Sequence, residues 1–347
     1  MTNPCGLRGL AFVELAAPDP DQIHRLLLAF GFSRTMHHKR LPIDLYEQHG
    51  IRILLNRGNG FAGAFAEEHG PSICSIGLYA ESATWAAIIA TERGARTAVG
   101  DLWRSPDDDD LPAVYGIGDS LIYFVDDHDS WGALGFAKLE KPDLVPDKGF
   151  FAIDHLTNNV PRGELERWSN FYKDIFGFTE VRYFDIHGVK TGLVSHALRS
   201  PCGTFCIPIN EGTGTGSQID EYLEEYRGPG IQHLAFLTKD ILGSLRALEG
   251  TPVRFLDIEP GYYGEVFDRV PNVREDHDEL AKRNVLVDGD RDGYLLQIFT
   301  QNLIGPIFIE LIQRHNHLAF GEGNFGALFR SIERDQARRG VFDEAPV

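Results

Sequence analysis

The 347-residue chain is 43% hydrophobic and 24% charged, an ordinary globular balance whose length predicts two domains at about 150–200 residues each. A net charge of −18 excludes a phosphate-backbone binder, which needs clustered Lys and Arg, so no nucleic-acid partner is expected. No apolar run reaches membrane-spanning length, and the opening MTNPCGLRGL lacks a signal-peptide core; a cytoplasmic protein with no membrane partner is expected.

One pattern recurs four times along the chain. A short apolar strand is followed by a polar turn and an amphipathic helix at residues 9–32, 72–95, 151–178 and 230–250. The first and third copies end alike, in Phe30-Gly31-Phe32 and Phe176-Gly177-Phe178, a helix stopped by glycine before an aromatic. Runs of alternating polarity at 43–57, 114–127 and 181–195 read as further strands, with turns at Gly50 and Gly188. The repeat unit is therefore a strand, a helix and several strands. The acidic run Asp107 to Asp110 reads as an exposed loop without the spaced ligands of a calcium site. The aperiodic stretch KPDLVPDKG (141–149) marks a boundary, giving domains 1–145 and 146–347.

Two strand-length runs follow, Tyr294 to Thr300 and Ile307 to Gln313. Side chains alternate between faces, so Gln297 and Phe299 share one face and Phe308 and Glu310 another. Then Asn324 reads as the N-cap of a helix whose Phe325, Leu328, Phe329 and Ile332 form one apolar face.

Three residues interrupt apolar strands in the C-terminal half: His155, His233 and Glu310. A buried carboxylate needs a cation, a partner or a proton, and Arg314 is the simplest partner for Glu310. Two histidines in equivalent repeats, with a carboxylate in a third strand, form a candidate metal set. Aligning the repeats puts Phe12 opposite His155 and Ser75 opposite His233, so the N-terminal half lacks both imidazoles. Two neutral imidazoles and one carboxylate suit Fe(II) with open positions; the same set also binds zinc. Ser195, Asn210, Gln218, Gln232 and Gln297 are uncharged polar residues in apolar surroundings, suited to a small polar ligand. Phe299, Phe308, Phe320, Phe325 and Phe329 cluster in sequence with Glu310 and Gln297, as the wall of a ring-shaped pocket. Cys5, Cys74, Cys202 and Cys206 form no dense framework, which fits a reduced compartment.

The stretches LLQIFT, IFIELIQR and FGEGNFGALFRSIERDQ resemble the 4-hydroxyphenylpyruvate dioxygenase family, as do IDHLTNNV, RYFDIHGVKTGL, CIPINE and GIQHLAFLTKDI. The likeness covers nearly the whole chain, with departures at Ala319 and at RHNHL (314–318). That family belongs to the vicinal-oxygen-chelate superfamily, whose paired units match the four repeats. The resemblance implies an α+β fold of two similar domains, each an open β-barrel of two paired βαβββ units, with a C-terminal lid helix. It implies Fe(II) at His155, His233 and Glu310, and a pocket lined by Ser195, Asn210, Gln218, Gln232 and Gln297. Phe299, Phe308 and Phe325 would hold the substrate ring, with Phe320 and Phe329 beside them. Gln232, Gln297 and Asn210 are the expected catalytic groups. The implied reaction takes 4-hydroxyphenylpyruvate and O2 to homogentisate and CO2, in tyrosine and phenylalanine catabolism. The alternatives are a 4-hydroxymandelate synthase acting on the same substrate, a glyoxalase-like lyase or isomerase with a redox-inert metal, and a non-catalytic aromatic-ligand binder of the same fold. A homo-oligomer is expected.

Overall fold

The computed structural model describes residues 3–340 apart from 101–102, 104–110, 127–129, 188–191 and 215. The expected loop at Asp107–Asp110 and turn at Gly188 lie outside the described residues. The first half supplies eight strands: β1 (Leu7–Ala16), β2 (Ser33–His38), β3 (Ile43–Gln48), β4 (Ile51–Asn56), β5 (Ser72–Ala80), β6 (Ala113–Tyr115), β7 (Leu121–Asp126) and β8 (Phe136–Asp143). The second half supplies β9 (Phe150–Val160), β10 (Thr179–His187), β11 (Gly192–Arg199), β12 (Cys206–Thr213), β13 (Gly230–Thr238), β14 (Leu286–Gly289), β15 (Tyr294–Phe299) and β16 (Phe308–His315).

Each set forms its own eight-stranded sheet, in the orders β6-β7-β5-β1-β4-β3-β2-β8 and β10-β11-β12-β9-β13-β16-β15-β14. Both sheets centre on an antiparallel pair, β1–β5 and β9–β13. Both flank that pair with parallel neighbours, β4 and β7 in one and β12 and β16 in the other. This is the paired βαβββ arrangement that the four repeats predict, with one departure: β8 leaves its own unit and pairs with β2 at the far edge of the first sheet. The helix of each unit starts where the chain offers a cap. Asp19 accepts from the backbone N–H groups of Asp21 and Gln22 ahead of helix Pro20–Ala29. Ser82 and Asp240 cap the helices Ala83–Glu92 and Ile241–Ala247. In the third unit helix Leu165–Asn170 runs on as a π-helical turn, Phe171–Phe176.

Alternation along the strands creates two different interiors. One face of each sheet packs against the helices in an apolar core that runs through both halves, where Phe32 and Phe150 meet Phe236 at ring distances of 5.4 and 5.5 Å. The other face of the first sheet is filled by its own cluster, in which Phe12 meets Trp103 at 5.2 Å and Tyr123 at 6.2 Å. The other face of the second sheet surrounds a cavity.

Candidate active site

His155, His233 and Glu310 sit on β9, β13 and β16, the adjacent strands in the middle of the second sheet. Ala235 of β13 pairs with His155 on one side and with Glu310 on the other, and His233 lies two residues earlier on β13. The two-residue period of a strand points all three side chains to the cavity. Their ligand atoms all lie within 4.8 Å of one another, and all three residues are buried. His155 Nε2 is 3.0 Å from Glu310 Oε2 and 3.3 Å from His233 Nε2.

Burial opposes charge on each of these groups. For His155 the carboxylates of Glu310 and Asp154 outweigh burial and hold the imidazole above its ordinary range. Glu310 is likewise held low against burial by the two histidines, chiefly His155. Burial dominates at His233, which is pushed toward the neutral form. A proton on His155 thus stands where a divalent cation can stand, and the donor set fits one: two imidazole nitrogens and a carboxylate oxygen, converging and shielded from water.

The outer partners of two of these residues are well built. His155 Nδ1 lies 2.8 Å from Asp154 Oδ2. Arg314 grips Asp154 with a two-pronged bond, Nε to Oδ1 and Nη2 to Oδ2, both at 2.7 Å. The expected alternative, Arg314 paired with Glu310, is not what the fold builds. The Arg314 guanidinium is spent on Asp154 and on the carbonyls of His317 and Ala319. Glu310 Oε1 instead accepts from Gln297 Nε2 at 2.9 Å.

A cavity lies in front of the cluster, lined by apolar and aromatic side chains with a few polar groups, the ordinary make-up of a small-molecule site. The fold brings every sequence-predicted residue to its wall. Ser195 and Asn210 face each other across β11 and β12. Gln218 opens helix Gln218–Glu225, whose Ser217 and Asp220 form a capping box, and lies 3.5 Å from Gln232 Nε2 through its Oε1. Phe308 stacks on the His233 ring at 4.6 Å, with Phe299 edge-on to it at 6.2 Å. Phe320 meets the edge of His155 at 5.8 Å. Phe325 and Phe329 come from the terminal helix, Phe325–Arg338, together with Leu328 and Ile332, so the predicted apolar face of that helix closes the cavity. Arginines on its other side anchor it, Arg330 and Arg334 to Glu259 and Arg339 to Glu221.

Four wall residues escape the sequence reading: Thr157, Phe184, Ile186 and Leu193. Thr157 follows His155 by two and so shares its strand face, which is a legible signal. Phe184 meets Phe325 at 5.1 Å, a contact between distant segments that no local pattern reveals. Asn324 is a correction. Its side chain makes no cap. It closes the short turn Glu322–Asn324 in helical conformation, and its amide is used elsewhere: Nδ2 donates to Gln297 Oε1 at 3.0 Å, while Oδ1 accepts from the Tyr262 hydroxyl at 2.7 Å. Just before it, Gly321 adopts φ +83°, and a Cβ there would stand 2.0 Å from Gln297 Oε1, so glycine is required twice over.

Residues 1–137 match the family described as hydroxyphenylpyruvate dioxygenase, N-terminal, and residues 152–298 the glyoxalase/bleomycin resistance protein/dioxygenase superfamily. The chain is 56% identical over 344 residues to protein MelA of Shewanella colwelliana, covering 98% of each. It is 43% identical over 351 residues to 4-hydroxyphenylpyruvate dioxygenase of Legionella pneumophila, covering 99% of this chain and 98% of the relative. Among solved structures, a mutant 4-hydroxymandelate synthase from Streptomyces coelicolor superposes with a TM-score of 0.79 at 25% identity, covering 95% of this chain and 99% of that one. Full-length matches of this strength, on a fold with a converging His–His–Glu set, identify the chain as an enzyme that belongs to the 4-hydroxyphenylpyruvate dioxygenase family.

Proposed function

We propose that this enzyme takes 4-hydroxyphenylpyruvate and O2 to homogentisate and CO2, with Fe(II) held by His155, His233 and Glu310. The observation that carries the reading is the buried His–His–Glu cluster at the floor of an apolar cavity rimmed by uncharged amides. Fe(II), when bound there, supplies open coordination positions for the oxo acid and O2 and the redox chemistry that activates O2. Zinc fits the same donors, but activating O2 in this reaction needs a redox-active metal.

The remaining work belongs to the chain. Phe299, Phe308 and Phe325 offer apolar surface to the substrate ring and fix its plane relative to the floor. Gln232, Gln297 and Asn210 are the catalytic candidates: Gln232 and Asn210 are neutral donors on the cavity wall, able to orient the oxo acid and the phenol without adding charge, and Gln297 acts through Glu310, to which its amide donates. Ser195 and Gln218 extend that polar rim. Phe320, Phe329 and the terminal helix keep water out while reactive species exist. The oxo acid is part of the substrate, so its decarboxylation supplies the electrons and no separate oxo-acid co-substrate is needed. The first half, residues 1–145, serves as a metal-free support for the catalytic half, residues 146–347. A cytoplasmic setting agrees with four unpaired cysteines.

The rival within this family chemistry hydroxylates the benzylic carbon and yields 4-hydroxymandelate, and the Streptomyces neighbour keeps it in view. Pro208 and Asn210, both on the cavity wall, follow the ring-hydroxylating pattern of the IPINE stretch and favour homogentisate. The test is anaerobic Fe(II) loading, then oxygen with 4-hydroxyphenylpyruvate, with product identification. Homogentisate supports the reading; 4-hydroxymandelate selects the rival; stoichiometric ligand binding without oxygen uptake rejects both.

A further inference from the structure

Two hydrogen-bond chains leave the cluster, and both end in the segment that carries the terminal helix. The first runs from His155 to Asp154 and then to Arg314, as described above. The remaining nitrogen of Arg314, Nη1, donates to the carbonyls of His317 at 3.1 Å and Ala319 at 2.6 Å. The second runs from Glu310 to Gln297. Gln297 Nε2 also donates to the Phe320 carbonyl at 3.2 Å, and its Oε1 takes the Asn324 amide. Phe320, between the two chains, meets the His155 ring edge-on. His233 takes no part, since its outer contact is Gln232 Oε1 at 3.3 Å.

The convergence has a physical consequence. Gln297 is buried and the Arg314 side chain nearly so; Gln297 shares its donors between Glu310 and the Phe320 carbonyl, and Arg314 shares its donors between Asp154, the partner of His155, and the carbonyls of His317 and Ala319. Moving that segment forfeits bonds that also hold His155 and Glu310 in place. Buried polar networks of this kind lose more when partly broken than a pairwise count implies.

We infer that metal binding and closure of the terminal helix are coupled through these chains, with Asp154, Arg314 and Asn324 as positioning residues that touch neither metal nor substrate. This rests on the metal reading of the cluster. A cation that fixes His155 and Glu310 also fixes Asp154 and Gln297, hence Arg314 and Asn324, and so tightens 317–324 and the helix after it. Coupling between sites is reciprocal in free energy, so loosening the segment weakens the metal by the same factor that the metal tightens the segment.

The test is amide hydrogen exchange on the full chain with and without Co(II), a probe that takes the same ligands. Co(II) affinity is measured in parallel by calorimetry. In the unaltered chain Co(II) slows exchange across 317–339 by about fivefold or more, the low end of ordinary coupling. Asn324→Ala and Arg314→Met still bind Co(II), about fivefold or more weakly, and lose most of that slowing. Arg314→Lys, which keeps the charge but not the fork, does not restore it. The wild-type comparison and Asn324→Ala decide the matter even if Arg314→Met fails to fold. Co(II) binding that leaves 317–339 unchanged, or variants that respond like wild type, overturn the coupling and leave the metal reading intact. A wild-type chain that binds no Co(II) overturns both.

Discussion

Phe12 occupies in the first sheet the register position that His155 occupies in the second. Phe12 pairs with Gly77 across β1 and β5, as His155 pairs with Ala235 across β9 and β13. The third strand agrees: Gly77 pairs with Tyr123 where Ala235 pairs with Glu310. The two halves share one skeleton, and where the second holds His155, His233 and Glu310 the first holds Phe12, Ser75 and Tyr123, with the Phe12 ring tilted or edge-on to Tyr123 and Trp103.

The first prediction tests that packing. A Cβ on Gly77 would stand 2.2 Å from the Phe12 ring. Gly77→Ala is therefore expected to cost about 1–3 kcal/mol by overpacking, and Phe12→Ala about 3–5 kcal/mol by leaving a cavity. Combined, they cost less than their sum, because the methyl enters vacated space. Denaturant unfolding measures all three. Bound iron stays at the wild-type level in each folded variant, and iron that falls with Phe12 would place metal in the wrong half.

A second prediction concerns the ligands. His155→Ala, His233→Ala and Glu310→Ala each abolish turnover and sharply weaken metal retention, since a three-residue set has no spare member. Cys202→Ser leaves retention unchanged; its sulfur lies within hydrogen-bond distance of the Ser200 and Thr204 hydroxyls, away from the cluster. Elemental analysis after anaerobic loading reads both, and metal that tracks Cys202 rejects the assignment.

The terminal helix gives a third. Phe325→Ala is expected to weaken substrate binding by about 1–3 kcal/mol, the scale of a lost buried aromatic contact. Removing residues 324–347 takes away the helix face that closes the cavity, and oxygen uptake then exceeds product formed. A truncated chain that stays folded with one product per O2 shows that the helix is not a gate.

The fourth concerns pH. Glu14 is buried in the first half, with Ser75 and Asn56 on its two oxygens. Burial raises its carboxyl above the ordinary range despite these bonds. A raised folded value means stability that is complete below the unfolded pKa and is lost as pH rises through the folded one. Glu14→Gln removes that loss. The gain in melting temperature over wild type should therefore grow from pH 5 to pH 8, at about 2–4 °C per kcal/mol relieved. A gain that shrinks over that interval contradicts the assignment.

Much of this site is legible in the sequence. His155, His233 and Glu310 stand out because a polar residue inside an apolar strand violates the local pattern, and the repeat supplies the register that compares them with Phe12 and Ser75. Gln297 and Phe299 follow from strand alternation. What local pattern cannot carry is partnership across the chain. Asp154 and Arg314 are 160 residues apart, and nothing near either one names the other. Asn324 looks like a cap because its residue type suits one, yet two distant partners claim its amide. Phe184 reaches Phe325 only after the second sheet has curled.

Gly321 and Gln297 occupy a single volume: the space denied to a methyl at 321 is the space taken by the amide oxygen at 297. The two positions are therefore one unit of inheritance. Shortening residue 297 would admit that methyl, but it would remove the donor to Glu310 and the acceptor for Asn324 and would leave the left-handed backbone at 321 still unsuited to alanine. The glycine at 321 thus serves two ends at once, the left-handed turn before the helix and the room that the metal-side amide occupies.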